Sequence, residues 1–182
     1  LARRYRLLVI EDATEALGSY YKNKHAGSFG DLGCFSFNGN KVITTGGGGM
    51  IVTDNQAFAQ RARHLTTQAK SQVEEYFHDE IGFNYRLTNV LAAIGVAQME
   101  QLPTVLAKRN ELISNYKKAF EGIEGLSFQK VLPAVDPNWW LITLKVKRKQ
   151  ILLDFLKEQK IQARPLWIPM NELPFNRNCL YF

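Results

Sequence analysis

Lys41 follows an apolar stretch, Leu32 to Phe37, and precedes four consecutive glycines, Gly46 to Gly49, that lead into a second apolar stretch, Met50 to Val52. Two readings of this lysine stand side by side. It is an exposed loop residue, since ammonium groups are rarely buried unpaired. Or it is an amine held at a sheet edge, where desolvation or a neighbouring cation makes it a nucleophile towards carbonyls. Asp12 stands 29 residues earlier (41 − 12), in RLLVIEDATEALG. It either caps the following turn through a side-chain oxygen, or offsets a buried cation such as a protonated ring nitrogen at the carboxyl end of a strand, where open α/β sheets place their ligands. In the second case both side chains reach one group from the ends of neighbouring strands.

The elements that must position this pair are readable from local pattern. Arg6–Ile10, Leu32–Phe37 and Met50–Val52 are predicted as short buried strands. Gly46 to Gly49 do not form a phosphate loop, because a Walker motif places its lysine after the glycines; here they allow positive φ and close backbone approach. Gly27, Gly30 and Gly33 likewise lack the placement of a dinucleotide fingerprint. Residues 19–29 suggest a two-stranded excursion around Lys22-Asn23-Lys24, in which His25 is read as exposed or locally hydrogen-bonded. Asp54 is the expected cap of a helix over 55–66, and 67–83 is expected as a long surface excursion. Thr88 or Asn89 should cap a further helix, and Pro103 is placed in the first turn of another that runs to Phe120. Trp140–Val146 is predicted as a strand, 150–159 as a helix, and Ile161–Trp167 as an irregular strand. Trp139 and Trp140 are expected in core and interface, and Trp167 is a candidate wall of a ligand site.

Composition sets the limits. The chain has 182 residues, 46% of them hydrophobic and 22% charged, which supports a folded core and argues against disorder. The formal charge of +6 suits a basic surface and would help hold phosphorylated ligands. Scattered basic residues and short RARH and KVKRK runs argue against a nucleic-acid partner. The two cysteines, Cys34 and Cys179, are far apart and lack metal spacing, so no metal is expected. No signal peptide and no apolar stretch of membrane-spanning length is read, which gives a cytoplasmic expectation with no membrane partner.

Three spaced motifs, VIEDATEALGS, AGSFGDLGCFSFNGNKVITTGGGGMIVTD and GFNYRLTNVLAAIGVAQMEQL, make the chain similar to the DegT/DnrJ/EryC1/StrS family of sugar aminotransferases. The resemblance implies an α/β fold: part of the large domain of a fold type I transferase dependent on pyridoxal 5′-phosphate, with a mostly parallel mixed sheet, plus a small C-terminal α/β domain. It implies the C-terminal two-thirds of a longer chain, N-terminal portion absent, with residues 1–120 in the partial large domain and its connecting helices and 121–182 in the partial small one. LARRY is read as the last turn of a helix that starts upstream.

Carried over residue by residue, the resemblance implies that Lys41 links the cofactor and Asp12 partners its pyridine nitrogen. Ser36 would bind the cofactor phosphate, and Asn84, in GFNYR, would reach it from the other subunit of a homodimer with shared sites. Glu15 stands where the family often has Gln or His beside the cofactor ring. RPLWIPMNELP resembles RPLWxPxHxQP, with Asn171 at the usual histidine; Asn171, Arg86 and Trp167 are the substrate-site candidates. FSFNGNK is closest in wording to enzymes that aminate C4 of a UDP-linked 4-keto-6-deoxy-N-acetylhexosamine with glutamate as donor. The competing expectation is a catalytically inactive truncated relative that serves as a structural or binding module.

Overall fold

A parallel pair of short strands carries the chemistry-bearing residues. The computed structural model describes residues 1–71 and 76–180. After a single helical turn, α1 (Ala2–Tyr5), β1 (Ile10–Asp12) pairs in parallel with β4 (Leu32–Ser36), placing Asp12 opposite Cys34. Between them β2 (Tyr20–Tyr21) and β3 (Lys24–His25) form a hairpin whose two central residues, Lys22 and Asn23, have φ of 49° and 61°. Two consecutive positive φ values match the right-handed twist of a tight hairpin. β5 (Gly49–Val52) then returns antiparallel to β4.

β4 packs directly against the turn after β3 because Gly33 has no side chain: a Cβ there would lie 1.9 Å from the carbonyl oxygen of Gly27. Glu11 fastens the same turn. Its carboxylate accepts backbone N–H bonds from Gly27 (2.8 Å), Gly30 (2.5 Å) and Phe29. Burial pushes the Glu11 carboxyl up, but the three amides and Lys24 outweigh it, and the net direction is down from 4.5. A carboxyl lowered by folding contributes stability above about 4.5 and loses it as pH falls through the folded value. Glu11→Gln is therefore expected to cost about 1–2 kcal/mol at pH 7, since bonds to a charged acceptor are strong but this site is partly open to water. Acid titrations of the two proteins followed by circular dichroism should converge below pH 4.5; a gap that widens there would refute the clamp.

Two expectations about the strands are corrected. The sheets are mixed rather than mostly parallel: β4–β5, β2–β3 and β2 with β7 (Val135–Asp136) are antiparallel, and among the strand pairs with a described register only β1–β4 is parallel. A return through residues 37–48, without a crossover helix, favours an antiparallel partner. The first strand also begins later than predicted, at Ile10, and lies exposed, with Leu7, Leu8 and Ile10 each more than 60% accessible. β5 is exposed too, with Met50 and Ile51 about half accessible. β1 and β5 are the outer strands of a three-stranded sheet, so neither is covered on both sides.

The helix α2 (Gln56–Thr66) is capped by Asn55, whose side chain accepts from the N–H groups of Ala57 and Phe58, rather than by Asp54. Residues 72–75 of the predicted 67–83 excursion lie outside the described residues. Thr88 caps α3 (Asn89–Ala119) through Leu91 N–H. This one helix of 31 residues runs through Pro103, replacing the two that were expected. Interior proline costs about 3 kcal/mol; the alanines and leucines on both sides favour continuation. By length and composition alone α3 passes the test for a membrane-spanning helix, with a mean hydropathy of 1.4 over its most apolar window, a test that core helices also pass.

The chain divides into two units. The first comprises Leu1–Ile123 with Phe128–Leu144, and its apolar core includes Ala13, Phe35, Phe37, Ile43, Ala69 and Ile113. The second comprises Glu124–Ser127 with Lys145–Phe182, of which 181–182 lie outside the described residues. It holds α4 (Lys149–Glu158) and two 3-10 turns, Met170–Glu172 and Pro174–Asn176. β6 (Leu126–Phe128) and β8 (Leu144–Val146) form a two-stranded ladder. Only the end of the predicted Trp140–Val146 strand forms, and Ile161–Trp167 is not a strand.

Candidate active site

Because β1 and β4 run in parallel, their carboxyl ends coincide, and a small recess opens there. It is lined among others by Thr14, Glu15, Ser36, Lys41 and Trp140. The lysine is presented by a turn after β4, closed by Lys41 N–H donating to Asn38 C=O at 3.1 Å. Beneath it Ile43 is 2% exposed and anchors the turn in the core. Gly46 and Gly48, at φ 83° and 84°, then let the backbone swing back into β5.

Lys41 is neither a free surface lysine nor an unpaired buried charge. Its side chain is 13% exposed, its Nζ lies 3.4 Å from Glu15 Oε1, and the ammonium stands 4.3 Å from the centroid of the Trp140 ring. Asp12 ends β1 and is exposed, so no buried cation is needed to offset it here. Its carboxylate accepts from Thr14 N–H at 3.2 Å. The Thr14 hydroxyl and amide, then the positive Lys41, hold Asp12 below the usual carboxylate range. The structure shows the turn-cap reading of Asp12, whose carboxylate accepts from Thr14 N–H.

Ser36 lies at the end of β4 on the recess, and its Oγ accepts from Asn38 N–H at 3.3 Å. Asn84 is exposed and bridges to Thr67 in antiparallel register; Arg86 is exposed in the segment before α3. Phe83 and Tyr85 N–H donate to Leu65 and Thr66 C=O, while the Arg61 guanidinium grips Glu80 and His64 Nε2 meets Asp79 Oδ1 at 2.6 Å. The segment carrying Asn84 is thereby tied to α2. His64, Asp79 and Glu80 could offer ligand atoms within 4.8 Å of one another, but a dication would face the guanidinium already on Glu80. Trp167 (67% exposed) and Asn171 belong to the second unit, Asn171 within the first 3-10 turn.

Pattern reading missed Trp140, which lines the recess, and the residues that hold it there. Trp140, expected only as core or interface, donates its indole N–H to Asn40 C=O at 2.6 Å and faces Lys41. Asn138, 5% exposed, donates through Nδ2 to the carbonyls of Glu15 (2.8 Å) and Leu17 (2.9 Å) and accepts from Trp140 N–H (2.9 Å). Arg109 of α3 donates to the carbonyls of Trp139 and Trp140, and burial pushes its guanidinium down. These bonds hold Trp139 at φ 49°, a strained conformation for an aromatic residue. His25 is structural: its Nε2 accepts from Gly18 N–H and its Nδ1 meets Ala26 C=O.

The profile of the DegT/DnrJ/EryC1/StrS aminotransferase family matches residues 1–180, and the chain belongs to that family. The family match puts this α/β unit, with its lysine turn beyond a parallel strand pair, in fold type I of the pyridoxal-phosphate transferases. EpsN of Bacillus subtilis (strain 168), assigned by name as a pyridoxal phosphate-dependent aminotransferase, is 43% identical over the whole chain and 48% of its own length. GDP-perosamine synthase of Escherichia coli O157:H7 is 38% identical over 96% of this chain and 48% of that protein. Among solved structures, DesV of S. venezuelae superposes with a TM-score of 0.88 at 28% identity, covering 97% of this chain and 47% of DesV. PseC of Helicobacter pylori, an aminotransferase involved in pseudoaminic acid biosynthesis, gives 0.89 at 25% identity, covering 98% and 50%.

The expected share of two-thirds is corrected: the family profile matches residues 1–180, almost the entire chain, and the chain spans about half the length of the curated relatives it matches. Pyridoxal 5′-phosphate is the cofactor of this family, as the resemblance implied. The donor set fits it: an amine on Lys41, a hydroxyl on Ser36 beside it, and an ionised carboxylate on Asp12 at the adjoining strand end.

Proposed function

We propose that the protein transaminates a nucleotide-linked keto-sugar, at C4 of a UDP-4-keto-6-deoxy-N-acetylhexosamine, with glutamate as the amino donor. The observation that carries this reading is the recess at the joined ends of β1 and β4, where Lys41, Glu15 and Ser36 meet. Support for the sugar class comes from relatives named for sugar amination, such as GDP-perosamine synthase. The C4 position and the UDP carrier rest on the FSFNGNK wording.

Bound pyridoxal phosphate supplies an electron sink for the carbon from which a proton is lost. Lys41 would hold the cofactor through its amine and would move a proton to and from the donor carbon as general base and acid. Asp12 would supply the negative charge that keeps a pyridine nitrogen protonated. Ser36 would bind the phosphate, with Asn84 of a partner subunit completing it in a homodimer with shared sites. Glu15 would face the cofactor, and Arg86 would contact the substrate. The division at residue 120 into a large-domain and a small-domain portion, the absence of a metal, and a cytoplasmic location without nucleic-acid or membrane partners belong to the same reading.

The test is incubation of the protein with pyridoxal phosphate, glutamate and the UDP-4-keto-sugar, followed by mass spectrometry. The expected product carries an amino group at C4, formed in step with 2-oxoglutarate. Absence of amination would overturn the reading in favour of a binding module, and amination of a GDP-linked sugar alone would correct the carrier.

A further inference from the structure

The recess beside Lys41 is nearly filled by its own walls. Its volume is about 10 Å³. That is room for about one water molecule, whereas small-molecule pockets run to about 300–1,000 Å³. The Lys41 side chain is 13% exposed, and its Nζ lies 4.3 Å from the centroid of the Trp140 indole. No aromatic ring fits between indole and amine while the two are in contact.

This cover is a movable ring on a fixed mount. The Trp140 backbone is pinned on both sides: its N–H donates to Asn138 Oδ1 at 2.9 Å, and its carbonyl accepts from Arg109 at 3.1 Å. Asn138 is buried and donates to the carbonyls of Glu15 and Leu17, so the mount stands without Lys41. The ring is held separately. Its indole N–H donates to the carbonyl of Asn40, the residue before Lys41, at 2.6 Å. Rotation of the Trp140 side chain between staggered wells breaks that bond and leaves the backbone bonds intact.

We propose that Trp140 is the access gate of Lys41, with its indole bond to Asn40 as the latch. While the latch is closed, only a reagent of about the size of water meets the amine. A larger carbonyl compound reacts after the ring has swung aside. The inference rests on the proposed role of Lys41 as the reactive amine, and adds to it the residue that decides by size which molecules reach it.

The experiment needs neither cofactor nor turnover. The protein is treated with formaldehyde or with benzaldehyde in the presence of cyanoborohydride. Amine and aldehyde condense with loss of water, and the hydride reduces the product to a stable alkylamine, whose formation at Lys41 is timed by peptide mass analysis. Trp140→Phe keeps an aromatic ring but has no latch donor. It is expected to raise the benzaldehyde rate about fivefold relative to the formaldehyde rate, the factor of one hydrogen bond, and Trp140→Ala should raise the ratio further. A measurement on the native protein covers the case in which neither variant folds. With nitrogen-15 labelling, the Trp140 indole N–H resonance, assigned by elimination from Trp139→Phe and Trp167→Phe, should leave its hydrogen-bonded position once Lys41 carries the benzyl group. An unchanged or lowered ratio in the folded variants, an indole N–H that keeps its position, or no benzyl group on Lys41 in any of the proteins would overturn the gate. Failure of sugar amination or of cofactor attachment would leave both aldehyde rates standing, so the gate and the proposed function fail separately.

Discussion

Replacing Lys41 by alanine is expected to lower transamination by about 10²–10⁴-fold, the range lost with a positioned general acid or base, while leaving the folded state almost as stable as before. The second half of that expectation is what makes the first informative. The Lys41–Glu15 pair is half open on its Glu15 side, and ion pairs open to solvent contribute about 0–1 kcal/mol. Trp140 keeps its bonds to Asn40 and Asn138 without the lysine. A variant that melts with the native protein but no longer turns over places the loss in the chemistry. Measured side by side, near-native turnover would remove Lys41 from the mechanism. A loss of fold would make it a structural residue.

Ile43→Ala should act first on stability. Ile43 is the largest fully buried side chain among the described residues and sits two positions beyond Lys41. Truncating a buried isoleucine costs about 2–5 kcal/mol, and Ile→Val about 0.5–1.5. Against a total stability of about 5–15 kcal/mol for a folded domain, the alanine variant loses a large share. Urea titration should rank native, valine and alanine in that order, with the midpoint falling and the slope unchanged. Turnover of the valine variant should also fall, because its side chain sets the floor of the lysine turn. An alanine variant as stable as the native protein would show that the turn is held by its backbone bonds instead.

How much of this was legible depends on how local each determinant is. Leu32–Ser36 and Gly49–Val52 lie where apolar runs bounded by glycine put them, and the hairpin at Lys22-Asn23 follows from its turn residues. Pro103 misled because its local preference for a first turn was outweighed by good helix formers on both sides. The exposure of β1 and β5 was not legible, since an apolar strand reads the same at a sheet's edge as at its centre. Strand direction was also hidden: nothing in Met50–Val52 says whether it returns parallel or antiparallel.

Among the candidate residues, Lys41 and Asp12 were legible from their places after apolar runs, and Ser36 and Glu15 from the motif resemblance; Glu15, Ser36 and Lys41 line one recess, and Asp12 ends the adjoining strand. Trp140 was not. Its bond to Asn40 spans 100 residues, and no short-range pattern distinguishes a tryptophan that covers a lysine from one that fills a core. Asn138 and Arg109 are likewise defined only by what they reach across the fold, namely the Glu15 and Leu17 carbonyls and the Trp139–Trp140 backbone.

The central claim is that Lys41 is the amine that engages the cofactor. It is tested most directly by adding pyridoxal phosphate to the protein, reducing with borohydride, and locating the pyridoxyl group by peptide mass analysis. The account predicts one stoichiometric label, on the peptide containing Lys41, and its disappearance in Lys41→Ala. A stoichiometric label on any other lysine, or no label at saturating cofactor, would contradict it.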